Sequence, residues 1–318
     1  MDNLTHTLTG LVLSRAGLSR WYARPGLVLM LAANVPDIDI VTSFRGMFTY
    51  FEIHRGITHS FAMLPVMSLL PALVACAVSR TMRGFKAAYI LSLVGVASHL
   101  LLDWTNTYGI RFLLPFSGQW FRLDLNGLVD LWIWAVLMIA CVAPLLARLV
   151  STEIGAKSGP GRGLAIFALL FVLVYDFGRY LTHQRAIEIL NSRVYQDGPP
   201  LRVAAFPSSA VNPFDWSGWV QRPNVAMRFS MNLLADFDPT APDRVVHEPE
   251  PGPAIDAARS TLVFRKYLDF SQYPIWQVFP ASDPEGAQRV EVRDWRFSFT
   301  ASAIVDRTNR VLSSSFHY

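Results

Sequence analysis

The sequence predicts an α-helical integral membrane domain of about four long and two short helices, followed by a small β-rich extracytoplasmic domain. Three observations carry this prediction. Only 16% of the 318 residues are charged and 52% are hydrophobic, whereas a soluble domain carries about 25% charged residues. Four apolar runs, 61–79, 87–104, 128–150 and 163–181, approach the roughly 20 residues that a spanning helix needs. Beyond them the chain changes character: proline and glycine become frequent, as in Asp197-Gly198-Pro199-Pro200, and short alternating stretches recur.

Taken in order, the first elements are two shorter apolar segments, 4–18 and 25–36. Neither is long enough to cross a bilayer alone, and together they read as a packed pair of short or tilted helices. Polar Asp2, Asn3, Thr5 and His6 stand where a signal peptide carries its basic region, so the first apolar segments are expected to act as the insertion signal. The four long runs follow. Lysine and arginine in short loops set orientation. Arg15, Arg20 and Arg24 surround the first joint; Arg80, Arg83 and Lys86 fill the loop between 61–79 and 87–104; Arg148, Lys157 and Arg162 fill the loop between 128–150 and 163–181. With these on the cytoplasmic side, the six segments alternate without conflict. Residues 1–184 then form the membrane domain, and 185–318 a soluble domain expected in the periplasm. In that domain 260–268, 275–279, 289–299 and 301–305 read as strands, the third by its apolar–polar alternation. The 236–257 stretch reads as a loop.

The net charge of +4 is mild, and no basic block or basic–aromatic ladder appears, so no nucleic-acid partner is expected. Cys76 and Cys141 both lie in apolar runs and read as buried small hydrophobes rather than a disulfide or a thiolate metal site.

Histidine and aspartate are distributed unevenly. His6, Asp37, Asp39, His54, His59, His99, Asp103, Asp124 and Asp130 all fall at the membrane face opposite the arginine-rich loops. That segregation is independent evidence, because orientation rests on lysine and arginine alone. His99 and Asp103 share one helix face by their i, i+4 spacing, inside an apolar run where ionisable groups are costly and functional. Each of the others has a bland reading as a cap or terminator, Asp124 and Asp130 as caps of the fifth helix. Together, imidazoles and carboxylates without thiolate suit one or two divalent ions, zinc first and manganese or iron after it. The metal candidates are His6, Asp37, Asp39, His54, His59, His99 and Asp103. Asp39 or Asp124 is a candidate general base, Arg55 a candidate contact to a substrate oxygen, and Thr58, Ser60 and Thr5 candidates for orienting histidine tautomers. His54 and His59 are five apart and would diverge on one continuous helix, so both reach one site only if the helix begins after His54, a break that Gly56 permits.

Four motifs, His6-Thr7-Leu8-Thr9-Gly10, Pro36-Asp37-Ile38-Asp39, His54-Arg55-Gly56-Ile57-Thr58-His59-Ser60 and Ser98-His99-Leu100-Leu101-Leu102-Asp103, resemble in order and context the YdjM/YfhP family of membrane-bound metal-dependent hydrolases. The resemblance covers about residues 1–180, and Asn212-Pro213-Phe214-Asp215-Trp216 resembles the Asn-Pro-x-x-Trp of longer members. A more distant similarity, to zinc-dependent phospholipase C and related nucleases, implies that His6, Asp37, His59, His99 and Asp103 match its ligands. The chain departs from that pattern in lacking a late His-x-x-x-Glu helix. The resemblance implies an inner-membrane hydrolase that attacks a phosphoester of a lipid or another amphiphile with a metal-activated water. The alternative is a non-catalytic protein that binds metal, senses an ion or recognises a partner.

Overall fold

A computed structural model describes residues 1–153, 161–196 and 198–317. Lys157 and Asp197 lie outside the described residues. The chain divides into two compact units: Met1–Ile40, His54–His183 and Pro207–Pro213 form the first, and Val41–Ile53, Gln184–Phe206 and Phe214–Tyr318 the second.

The first unit is helical. It contains α1 (Asn3–Arg15), α2 (Pro25–Ala32), α4 (Leu64–Val78), α5 (Phe85–Thr105), α6 (Leu131–Glu153) and most of α7 (Arg162–Asn191). The helices α5, α6 and α7 are long and apolar enough to cross a membrane, and two bent helix pairs raise the number of candidate spans to five. Leu146, Leu149, Phe167, Leu173, Val174 and Phe177 are exposed on α6 and α7, as expected of helices whose outer face is solvated by lipid.

Close helix approach organises the interior. A Cβ at Gly10 on α1 would stand 2.6 Å from the Leu29 carbonyl oxygen on α2, and one at Gly95 on α5 would stand 2.6 Å from the Ala32 Cβ. Small residues of this kind let helices meet backbone to backbone in a membrane. Val28, Leu29, Ala72, Ala75, Ala88 and Leu91 fill the space among α2, α4 and α5, while Leu8, Val12, Leu137, Ala140 and Ala168 join α1, α6 and α7. Within α6, Pro144 has no N–H for the Ala140 carbonyl. The Arg15 guanidinium supplies the donor instead, with Nη1 3.1 Å from Ala140 O and 2.6 Å from Cys141 O. The Cys76 and Cys141 thiols are free and buried.

The second unit holds two four-stranded antiparallel meanders. β1 (Arg202–Pro207), β2 (Asp215–Arg222), β3 (Val225–Asn232) and β4 (Arg244–His247) form one, and β5 (Pro274–Pro280), β6 (Gln288–Asp294), β7 (Thr300–Val305) and β8 (Val311–His317) the other. Along β3, Met227, Phe229 and Met231 point inward, and with Trp216, Val220 and Leu190 they make the core of the first sheet. Trp216 is the tryptophan of the Asn-Pro-x-x-Trp stretch.

Two local readings are corrected. Residues 260–268, expected as a strand, lie mostly in α9 (Leu262–Phe270). Thr261 caps it, accepting from Phe264 N at 3.3 Å, and the buried residues Phe264, Tyr267 and Phe270 recur every third position. Helical spacing of large aromatics thus outweighs the β propensity of the Leu-Val-Phe run. The 236–257 loop contains β4 and the start of α8 (Pro253–Arg259), and a short helix α3 (Met47–Ile53) precedes the His54 motif.

Candidate metal centre

Four segments bring the polar residues together. After α2 the chain tightens into a 3₁₀ helix, Val35–Arg45, which carries Asp37 and Asp39. α3 ends at Ile53, Arg55 takes a left-handed φ of 53°, and a 3₁₀ turn, Ile57–His59, follows. The break between His54 and His59 is therefore real, but the left-handed residue is Arg55, not Gly56. His99 and Asp103 sit one turn apart on α5, and His6 comes from α1.

His59 is at the centre. Its Nε2 lies 3.1 Å from His99 Nε2, 3.4 Å from Asp37 Oδ1 and 3.6 Å from Asp103 Oδ2. His99 Nε2 is 3.3 Å from Asp103 Oδ2 and 3.8 Å from Asp37 Oδ1. On the other side of the His99 ring, Nδ1 is 2.7 Å from the Ala33 carbonyl. A carbonyl only accepts, so Nδ1 carries the proton and Nε2 presents a lone pair to the cluster. With neutral imidazoles, His59 Nε2 brings at most one proton to three acceptors: His99 Nε2, Asp37 Oδ1 and Asp103 Oδ2. An acceptor-rich pocket with so few donors suits a cation. Asp103 Oδ2 is buried with no hydrogen-bond partner among the described residues, and these four ligand atoms lie within 4.8 Å of one another.

A second group shares one member. Asp37, Asp39 and His54 also offer ligand atoms within 4.8 Å of one another, so Asp37 belongs to both. His54 Nδ1 lies 3.1 Å from Asp39 Oδ1. Asp39 Oδ2 accepts from the Arg55 main-chain N at 3.1 Å and from Thr58 Oγ1 at 3.4 Å. Thr58 Oγ1 also stands 2.9 Å from His59 Nδ1, the tautomer-orienting place expected of it.

The remaining candidates surround these groups. His6 is fully buried, stacks on His99 with ring centroids 3.9 Å apart, and has Nε2 3.3 Å from Asp103 Oδ1. Arg55 is only 3% exposed. Its Nη2 meets Asp103 Oδ1 at 3.0 Å, and its guanidinium lies over Tyr108, 4.9 Å from the ring centroid. The Met1 amino group also contacts Asp103 Oδ1. Arg55 therefore faces a carboxylate of the cluster. Asp124 lies elsewhere, with both carboxylate oxygens held by Arg122 Nη1 at 2.9 and 2.8 Å. Asp130 caps α6 by accepting from Trp132 N and Ile133 N at 3.0 and 3.1 Å. Sequence reasoning missed the Ala33 carbonyl and Tyr108. A main-chain acceptor leaves no mark in a sequence, and Tyr108 lies in a loop without periodicity.

The family model described as YdjM inner membrane protein matches residues 1–186, which contain every member of both groups. The uncharacterized protein YfhP of Bacillus subtilis is 28% identical over 207 residues, 62% of this chain. The match spans 59% of the length of that relative. No solved structure matches the chain, and the more distant likeness to zinc-dependent phospholipase C finds no counterpart in these matches.

Proposed function

The chain belongs to the YdjM inner membrane protein family, and from that premise we propose that it is a metal-dependent hydrolase cleaving a phosphoester of a lipid or similar amphiphile. The observation that carries this reading is the sharing of Asp37 between two ligand groups, so that Asp37, His59, His99 and Asp103 would hold one ion and Asp37, Asp39 and His54 a second. Zinc fits the imidazole–carboxylate donor set best, with manganese or iron next. A divalent ion held there supplies Lewis acidity and a bound water acidic enough to serve as nucleophile near neutral pH.

The chain's own residues prepare that chemistry. Ala33 O holds His99 in the tautomer that keeps Nε2 inward. Arg55 occupies Asp103 Oδ1 and leaves Oδ2 for the ligand position, which makes Arg55 a positioning residue rather than a substrate contact. Asp39, held by the Arg55 N–H and standing 3.1 Å from His54 Nδ1, would complete the second ligand group with Asp37 and the partly exposed His54. Asp124, occupied by Arg122, is not used.

The amphiphilic substrate is supported by the approach to Asp37. Its carboxylate borders a cavity of about 380 Å³ whose walls include Leu31, Ile38, Leu70 and Val74. α4, which supplies Leu70 and Val74, belongs to a candidate span. A hydrocarbon chain lying there would place its polar end at the shared carboxylate. The loop arginines support placing the site and the second unit on the periplasmic side.

The test is elemental analysis of the purified protein together with turnover of a generic phosphodiester and of phospholipid vesicles. Bound zinc or manganese, and hydrolysis abolished by chelator and by His59→Ala, is the expected result. Metal-free protein refutes the centre. Stoichiometric metal without turnover on either substrate favours a second reading, a non-catalytic metal-binding protein, for which the complete burial of His59, His99 and Asp103 speaks.

A further inference from the structure

A larger cavity lies on another face of α5, and the hydrolase reading does not use it. It measures about 520 Å³ and is bounded by α1, α5, α6 and α7 through Thr9, Trp104, Leu137, Leu169, Leu173 and Asp176, among others. That volume falls in the range of about 300–1,000 Å³ typical of small-molecule sites. It is also over three times the roughly 150 Å³ of a dry apolar cavity that takes up benzene. Leu101, Leu173 and Phe177 line it and are 58%, 66% and 62% exposed, so its mouth opens on the apolar faces of candidate spans.

One charged group faces this apolar space. Asn126 Nδ2 donates to Asp176 Oδ1 at 2.8 Å, and among the described residues no donor meets Oδ2. Asp130 accepts from the Tyr175 hydroxyl at 2.8 Å. Nearby Arg179 donates through Nε to Leu125 O at 2.9 Å and through Nη1 to Pro213 O. Asp176 is the carboxylate that lines the cavity; Asp130 is not among its walls. The polar end of the cavity is acceptor-rich and negative, so it repels phosphate or carboxylate head groups and favours donors. A carboxylate placed in a membrane span without a partner for one oxygen is costly unless a ligand meets it.

We propose that this cavity binds a single hydrocarbon chain ending in a hydrogen-bond donor, a long-chain alcohol or amine, with Asp176 Oδ2 as its acceptor. The site is separate from the metal centre and does not depend on catalysis.

Trp104 provides the readout, because it lines the cavity. The full chain in lipid nanodiscs is titrated with mid-chain brominated probes of equal length: a primary alcohol, a primary ammonium and a methyl ester. Quenching of tryptophan fluorescence should saturate with the alcohol or the ammonium and stay linear with the ester. Whichever donor saturates identifies the head group. Trp104→Phe should remove the saturable component. Leu169→Phe, which narrows the cavity away from the carboxylate, should weaken it. Asp176→Asn should weaken the donor probe at least about tenfold, the loss expected of one hydrogen bond to a charged group. Saturation by the ester equal to that of both donors, or linear quenching by all three in the parent protein, overturns the proposal. The probe comparison stands even where Asp176→Asn fails to fold.

Discussion

A single methyl group added at Gly95 should loosen the candidate metal centre from one helical turn away. In Gly95→Ala the new Cβ would stand 2.6 Å from Ala32 Cβ, 3.1 Å from Leu29 O and 3.3 Å from Ala33 N. Carbon atoms reach their best separation at about 3.5–4.0 Å, so α5 and α2 must part by roughly 1 Å. The His99 Nδ1–Ala33 O bond is 2.7 Å long, and the same displacement takes it to about 3.7 Å, beyond a hydrogen bond. Overpacking of this kind costs about 1–3 kcal/mol. Loss of an outer partner of a metal-ligating histidine weakens metal binding about 10- to 100-fold. The assay is competition against a chromogenic chelator, beside thermal unfolding with and without zinc. Gly178→Ala is the control, because nothing lies within 4 Å of a Cβ at that helical position. Gly95→Ala should lower both metal affinity and midpoint while the control changes neither. A Gly95→Ala protein that folds and binds zinc as tightly as its parent would refute the dependence of His99 on this helix approach.

Three further outcomes follow from the same geometry. Asp37→Asn should reduce bound metal more than His54→Ala, because Asp37 serves both groups; equal losses by elemental analysis would separate Asp37 from the shared role. Arg15→Met should destabilise the first unit by about 1–3 kcal/mol by leaving the Ala140 carbonyl without its donor. Adding Pro144→Ala should recover part of that loss, and an unchanged loss in the double variant would assign Arg15 another role. In the second unit, burial alone would raise the Asp294 carboxyl, but the Arg296 guanidinium and the donors from Arg296 N and Tyr273 N hold it below the usual carboxylate range. A depressed folded-state pKa gives stability that is present above the unfolded pKa of about 3.9 and lost as pH falls through the folded value. The unfolding midpoint of this unit should therefore drop below about pH 4, with Asp294→Asn less stable near neutrality and flatter in acid; parallel profiles would exclude Asp294 as the cause.

The sequence was most legible where a single period ran long. The four apolar runs became α4, α5, α6 and α7 because nothing competes with helix formation in lipid, where every backbone group needs an internal partner. The i, i+4 pair His99 and Asp103 was visible for the same reason. The second unit was less legible. Its strands are short, β1 to β3 lie in a stretch that gave no clear alternation, and α9 hid behind a β-branched start. Folding there is decided by which aromatic residues find one core, as Phe264, Tyr267 and Phe270 do, and that is a tertiary fact. The metal candidates were legible as a set, but not the division of labour among them. Arg55 looked like a substrate contact because an arginine beside two histidines is equally suited to either role. Its 3.0 Å approach to Asp103 is a contact that the sequence did not announce.

What separates the candidate metal centre from the other polar residues of the same helical unit is a balance of donors and acceptors. Asp130 is fully matched: two main-chain N–H groups meet Oδ1 and the Tyr175 hydroxyl meets Oδ2. Asp124 has both oxygens on Arg122. Such groups are stable as they stand and ask for nothing further. At His59 the balance fails. Asp103 spends Oδ1 on Arg55 and the Met1 amino group, yet Oδ2 remains without a donor, beside a His99 lone pair whose direction Ala33 has already fixed. Converting Asp37 to Asn would bring a donor beside the His59 and His99 nitrogens without taking the carboxylate partner from Arg55, and should stabilise the metal-free protein while abolishing metal binding. The opposite signs of those two effects, read by thermal unfolding and elemental analysis of one variant, are the signature of a pocket built around a cation. A variant that lost stability in the absence of metal would mean that the polar residues of this pocket satisfy one another.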